Sequence, residues 1–276
     1  MRSIAIINQK GGVGKTTTSV NLGAALAEEG HKVCLLDIDP QAHASLHLGV
    51  ALEDDERSLY DVLTNNVALA NVRCEVSPNM HLVPAHINLA AAEMELAGEV
   101  GRELILRDAL ISDPETFDYV LIDCPPSLGL LTLNALCAVE EVFLPLQPHY
   151  LALHGMSKLL TTVSAVSSRL NPRLRLSAVV LCLFESGTRL AGEVAGDAES
   201  FFAAQQASHH AVWGEARVMQ TRIRRNIRLA EAPSHGQSIF QYDASSNGAE
   251  DYRGLCREVL AMPSLVTPRR VERRAA

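Results

Sequence analysis

Between the apolar run Ser3-Ile4-Ala5-Ile6-Ile7 and a helical pattern beginning at Lys15 stands Lys10-Gly11-Gly12-Val13-Gly14-Lys15-Thr16-Thr17, the segment that most narrows what this chain can fold into. A glycine-rich turn from a buried strand into a helix lets the backbone approach an anion and turn its N–H groups inward. The helix adds the positive end of its dipole. Residues 2–8 are expected as the strand and 15–29 as the helix, with Gly30 ending it as a glycine after a C-cap does. In such a loop Gly11, Gly12, Val13 and Gly14 cradle phosphates with their backbone. Lys15 would bridge β- and γ-phosphate oxygens, the Thr16 hydroxyl would ligate Mg²⁺, and Thr17 would meet the α-phosphate. The common G-x-x-x-x-G-K-[ST] pattern is not met, because position 9 is Gln. An additional lysine, Lys10, stands five residues before Lys15 instead.

Apolar runs of strand length alternate with helical patterns along the rest of the chain, the signature of a parallel sheet built from βαβ units. Strands are expected at 32–38, 80–84, 119–123, 142–146 and 176–184. Helices are expected at 58–64, 88–97, 128–138, 151–169, 188–204 and 248–261, with a polar surface loop at 205–216. The reading is an α/β fold, a doubly wound, mostly parallel sheet with helices on both faces. Residues 1–262 are expected as one P-loop ATPase domain and 263–276 as a basic, frayed tail. The longest apolar runs are too short to span a bilayer. With a strand expected at once from the N-terminus and no signal-peptide pattern before it, a cytoplasmic location is expected. Cys34, Cys124 and Cys182 fall within apolar strands and are expected as buried, reduced thiols. His43 and His47, four apart with no third ligand near, are expected on the solvated surface.

The loop resembles the deviant Walker A motif of the ParA/MinD ATPases. In that family the early lysine, here Lys10, reaches across a dimer interface to the partner's nucleotide, so the resemblance implies ATP and Mg²⁺ as cofactors and a homodimer in the ATP state. Two acids at strand ends go with it. In Leu35-Leu36-Asp37-Ile38-Asp39-Pro40-Gln41, Asp37 and Asp39 share a face, and Pro40 breaks the strand. The segment resembles the family's D-x-D-P-Q, whose second aspartate positions the attacking water, and this gives Asp39 that role. Asp37 is either part of the site or an ordinary exposed strand end. In Tyr119-Val120-Leu121-Ile122-Asp123-Cys124-Pro125-Pro126-Ser127, an aspartate closes an apolar strand, as a Walker B acid does when it holds Mg²⁺ through water. The metal set is thus Thr16, Asp39 and Asp123, the acids acting through water.

Two further segments, 127–135 and 225–236, look like those of the ParA/Soj chromosome and plasmid partition proteins. In those relatives the R-N-x-R-L-x-E-A-P-S stretch borders the adenine, which makes Asn226 and Pro233 candidates, and arginines around it contact DNA. A formal charge of -8 excludes a wholesale nucleic-acid coat, yet five arginines and no acid fall between Arg217 and Arg228. A solvated face and a phosphate-binding patch both fit that run. Arg224, Arg225 and Arg228 carry the DNA expectation, with Arg189 beside them. Here the family's D-A-R-T-N-L reads Glu185-Ser186-Gly187-Thr188-Arg189-Leu190, its proline before R-N is Arg224, and its G-N-A-T after D-P-Q is Ala42-His43-Ala44-Ser45.

The resemblance implies a switch: an ATP dimer that binds nonspecific double-stranded DNA on the nucleoid and is released by slow hydrolysis. A ParB-like or other basic peptide would stimulate that hydrolysis. Two rivals on the same scaffold are a MinD-like membrane-cycling ATPase and an ATP-dependent metabolic enzyme. The first is disfavoured by Pro268, which breaks up the short apolar tail and leaves no stable membrane anchor. A nitrogenase-type iron protein needs two cluster cysteines per subunit; Cys124 is near one such place, but no partner cysteine precedes it at a matching glycine-rich turn.

Overall fold

The computed structural model describes residues 1–149, 156–185, 187–207 and 212–263. Its strands are β1 (Arg2–Ile6), β2 (Val33–Asp37), β3 (Cys74–Ser77), β4 (Met80–Val83), β5 (Tyr119–Asp123), β6 (Glu141–Leu146), β7 (Arg175–Leu181) and β8 (Arg217–Val218). They form one sheet in the order β3-β4-β2-β5-β1-β6-β7-β8. Every pairing is parallel except β3 with β4. The α-helices are α1 (Lys15–Glu28), α2 (His43–His47), α3 (Leu59–Thr64), α4 (Leu89–Glu95), α5 (Ile105–Ser112) and α6 (Leu130–Ala138). After them come α7 (Met156–Arg169), α8 (Arg189–Ala207), α9 (Ile227–Glu231), α10 (Ile239–Asp243) and α11 (Asn247–Ala261).

Parallel strands bury both faces, and here the two-residue period divides each central strand between two cores. Ala5, Cys34, Leu36, Val120 and Ile122 point to the side covered by α3, α5, α6, α7 and α8. Ile4, Ile6, Val33, Leu35 and Leu121 point to the side covered by α1, α10 and α11. The sheet is doubly wound, as expected. At the end of β1 away from the glycine loop, Arg2 forms a two-pronged pair with the fully buried Glu141 of β6 at 2.6 and 2.8 Å, and donates to the Val259 carbonyl of α11.

Several boundaries moved, each for a local reason. The first strand ends at Ile6, though the Ile7 N–H still bonds to the Phe143 carbonyl. The strand expected over 176–184 ends at Leu181, where Leu183 takes a positive φ of 53°, and resumes only as a bridge from Phe184 to Arg224. The expected loop 205–216 is partly helix, since α8 runs to Ala207; residues 208–211 lie outside the described residues. The helix expected from 151 is described only from Met156. The tail expected at 263–276 lies outside the described residues from position 264. Among the described residues, no helix is long and apolar enough to cross a membrane.

Candidate nucleotide site and arginine segment

The order of strands reverses around β1, with β2 reached beyond β5 and β6 lying on the other side, the position at which open α/β sheets bind ligands. Ile6, Asp37 and Asp123 are register partners at the C-terminal edge. The glycine loop leaves β1 there. Asn8 donates to the Pro145 carbonyl at 2.7 Å and accepts from the Lys10 N–H at 3.0 Å, fixing where the loop departs. Gly12 and Gly14 take positive φ angles of 71° and 94°. At Gly14 a Cβ would also stand 3.3 Å from the Cys182 Cβ, so glycine is needed there for conformation and for space.

Gly14 is the N-cap of α1 and offers no side-chain acceptor, and the first turn contains no acid. The leading N–H groups of a fourteen-residue helix are therefore left for an external acceptor, the arrangement that receives an anion. Lys15, 8% exposed, lies behind the loop and donates to the Lys10 carbonyl at 3.3 Å. Burial pulls its pKa down, while Asp123 and Asp39 oppose that pull.

Three acids converge on this place. Asp123 is fully buried and accepts from the hydroxyls of Thr16 and Ser19, each at 2.7 Å. Asp37 is fully buried too. It accepts from the Ser45 N–H and hydroxyl at 2.8 Å each and from the Asp39 N–H at 3.2 Å. The exposed alternative for Asp37 is thereby corrected: the residue anchors α2 to the strand end. Burial pushes both carboxyls above their ordinary range, and at Asp37 the neighbouring Asp123 charge adds to the push. Asp39 accepts from the Gln41 N–H at 3.0 Å and is 7% exposed. Thr17 lies in the first turn of α1, its carbonyl held by Asn21. A buried lysine, a hydroxyl already bonded to a carboxylate, two further acids and an open helix terminus fit a phosphate chain with a divalent cation. Lys10 is exposed on the loop, where its ammonium meets Gln147 at 3.4 Å and the His149 ring.

The structure corrects His47. It is 2% exposed rather than solvated, and burial lowers its pKa to about 4. It lies on α2 where this helix meets the turn at 232–235. The two chains approach so closely that a Cβ on Gly236 would stand 2.9 Å from the Gly49 Cα. Cys34, Cys124 and Cys182 are buried and unpaired, their thiols pushed up by burial.

The arginine segment is stitched to the sheet edge through Arg224, which bridges to Phe184, and Arg225, whose N–H bonds to the Phe184 carbonyl. Asn226 caps α9, its side chain accepting from the Arg228 N–H at 2.8 Å. Pro233 is the second residue of the short 3₁₀ turn Ala232–His235 that follows. Each arginine expected at DNA has an acidic partner. Arg189 meets Glu193 at 2.7 Å, Arg225 meets Glu185 at 2.8 Å, and Arg228 meets Glu231 at 2.8 Å. Arg224 is held most firmly, by Asp251 and Glu250, each at 2.6 Å. Asn8, Ser19, Ser45, Gln147 and His149 were not singled out from the sequence. Only Ser19 carried a local signal there, standing one helical turn after Lys15.

A model of the AAA domain family matches residues 1–176. The chain is 45% identical over 259 residues to the sporulation initiation inhibitor protein Soj of Bacillus subtilis (strain 168), covering 94% of this chain and 98% of that protein. It is 43% identical over 261 residues to the chromosome-partitioning ATPase Soj of Treponema pallidum (strain Nichols), covering 94% and 97%. Among solved structures it is similar to one described as cobyrinic acid a,c-diamide synthase from Mycobacterium smegmatis with bound ATP analog and magnesium. That likeness has a TM-score of 0.78 at 36% identity and covers 94% of each chain.

Proposed function

The chain belongs to the Soj/ParA family of chromosome-partitioning ATPases, and we propose that it works as an ATP-dependent dimerisation switch that binds DNA without sequence preference and segregates a chromosome, plasmid or other cargo. The observation that carries this reading is the uncapped α1 terminus behind Gly12 and Gly14, flanked by Lys15, Asp39 and the Thr16–Asp123 pair. ATP with Mg²⁺ is the group these residues fit, and it supplies the phosphoanhydride bond whose cleavage resets the switch.

The chain's own residues divide the work. The N–H groups of residues 11–17 and the Lys15 ammonium hold the phosphates and offset charge that grows as the bond breaks. Thr16 and Asp123 would hold the cation, the acid acting through water. Asp39, fixed by its strand-end turn, orients the attacking water and helps to retain the cation. Lys10, exposed on the loop, reaches the nucleotide of a second copy, which makes one site incomplete without another. Asn226 and Pro233 border the base. Arg189, Arg224, Arg225 and Arg228 form the DNA side, where cation–phosphate contacts carry no sequence information. A ParB-like or other basic peptide accelerates turnover, and the protein works in the cytoplasm, on the nucleoid.

The test is retention of a nonspecific duplex with ATP against ADP. Binding with ATP alone, falling steeply with salt and lost in Arg228→Ala, is the expected result; indifference to nucleotide overturns the switch. The likeness to a structure described as a diamide synthase favours a second reading, an ATP-dependent amide-forming enzyme. ATP turnover that rises with a carboxylic acid and an amide-nitrogen donor, and not with DNA and partner peptide, would establish that one instead.

A further inference from the structure

Positive charge on the arginine segment is largely paired with acids, which the sequence run does not suggest. Five arginines (189, 222, 224, 225 and 228) are paired with seven carboxylates, those of Glu193, Glu199, Glu250, Asp251, Glu185, Glu231 and Asp243. A phosphate approaching this face meets a surface whose acids outnumber its arginines, so binding requires arginines to leave their own carboxylates. The pairs differ in how readily they do so.

Arg224 is the least available. Asp251, only 6% exposed, accepts from its Nε and Nη2 and from its backbone N–H, while Glu250 takes a further bond. Releasing Arg224 would leave the buried Asp251 carboxylate without its counter-charge, which opposes release. Arg225 with Glu185 and Arg228 with Glu231 are pairs in which both partners are substantially exposed. Exposed pairs contribute little to stability, so a phosphate can replace the carboxylate at little cost. Glu231 is further held by the Tyr242 hydroxyl at 3.0 Å, which keeps it beside Arg228.

We propose that Glu185 and Glu231 act as internal counter-ions that set the DNA affinity of this protein, occupying Arg225 and Arg228 until phosphate displaces them, while Arg224 serves to hold the segment in place. The inference rests on the DNA-binding reading above. It assigns an affinity-limiting role to two acids and withdraws Arg224 from the phosphate-contacting set.

The test measures affinity for a labelled nonspecific duplex at one fixed salt concentration, with Mg²⁺ and a non-hydrolysable ATP analogue. It compares the natural protein, Glu185→Gln, Glu231→Gln, the double variant, and Glu99→Gln. Glu99 is exposed and remote in sequence from the arginine segment, so it reports the effect of one lost negative charge by itself. Melting temperatures and ATP turnover of each variant confirm an intact fold. Each single substitution is expected to tighten binding about two- to five-fold and the double about tenfold, with Glu99→Gln changing it by less than either. Unchanged or weaker binding by Glu185→Gln and Glu231→Gln, while the natural protein binds, overturns the counter-ion role and leaves the DNA reading standing. Equal tightening by Glu99→Gln also overturns it, since net charge would then be the cause. No binding by any of the five proteins overturns both readings.

Discussion

Ser45→Ala puts the anchoring of α2 to the end of β2 to a quantitative test. The Ser45 hydroxyl donates to Asp37 at 2.8 Å and accepts from the Ala85 N–H at 3.1 Å, and all three residues are at most 2% exposed. Removing the hydroxyl takes one of three hydrogen bonds from a buried carboxylate, a loss of about 1.5–3 kcal/mol where the acid is ionised. It also leaves the Ala85 N–H buried without an acceptor, at about 1–3 kcal/mol. The two losses share one site and do not add fully, so a total of about 2–4 kcal/mol is expected. In a chain of this size that lowers the melting temperature by roughly 3–8 °C. Asp37 has its pKa raised by burial, and the Ser45 bonds favour its charged form. The loss should therefore be larger at about pH 9, where Asp37 is ionised, than at about pH 5, where its protonated carboxyl carries no charge to stabilise. Ser45→Thr keeps the hydroxyl, and threonine is the residue the resembling family segment has there, so it should recover most of the loss. Calorimetry of the nucleotide-free protein decides the matter. A Ser45→Ala melt within about 2 °C of the natural protein, or an equal loss at both pH values, refutes the reasoning.

Asp39→Ala should still bind ATP but accumulate as a stable ATP dimer in sedimentation, and unchanged turnover would remove Asp39 from the water-positioning role. Lys10→Ala should bind nucleotide and fail to dimerise; an ATP dimer from this variant counts against the bridging lysine. His47 has a folded-state pKa of about 4 against an ordinary value near 6.5. Its contribution is therefore complete above pH 6.5 and is lost as pH falls toward 4, by about 3 kcal/mol in all. In His47→Leu that loss disappears, so the variant should gain on the natural protein as pH drops through this window, and a difference in unfolding free energy that stays constant with pH would refute the buried-histidine account.

What the sequence made legible depended on whether the signal was local. The glycine loop, the strand ends at Asp37 and Asp123 and the central strands are local patterns, and each lies where it was expected. β3 and β8 were missed because a four-residue edge strand with an exposed Glu75 and a two-residue strand carry too little alternation to register. His47 looked like one of a solvated pair, because nothing in its neighbourhood shows that residues 236 and 237 close over it. The partners of Asp37 and Asp123 are a serine eight residues onward and a helix a hundred residues back, spacings that no period predicts. The same distance hid the acids beside the arginines. Residues 217–228 contain no acid in sequence, yet Glu185, Glu250 and Asp251 arrive there through the sheet edge and α11.

Charge at the loop explains why an anion site and a cation site occur together. Asp37, Asp39 and Asp123 lie within one small volume with a single buried cation, Lys15, whose own charged form burial disfavours. Phosphates alone would approach an open helix terminus backed by excess negative charge, and the attraction of the N–H groups would work against that repulsion. A divalent cation alone would find oxygen donors, but Asp37 is already committed to Ser45 and Asp39, and Asp123 to Thr16 and Ser19. Only when both enter does each carboxylate, phosphate and ammonium have an opposite charge beside it. The uncapped terminus and the paired strand-end acids therefore belong to one design, and removing either should weaken binding of the metal–nucleotide pair more than binding of a free phosphate or a free metal ion.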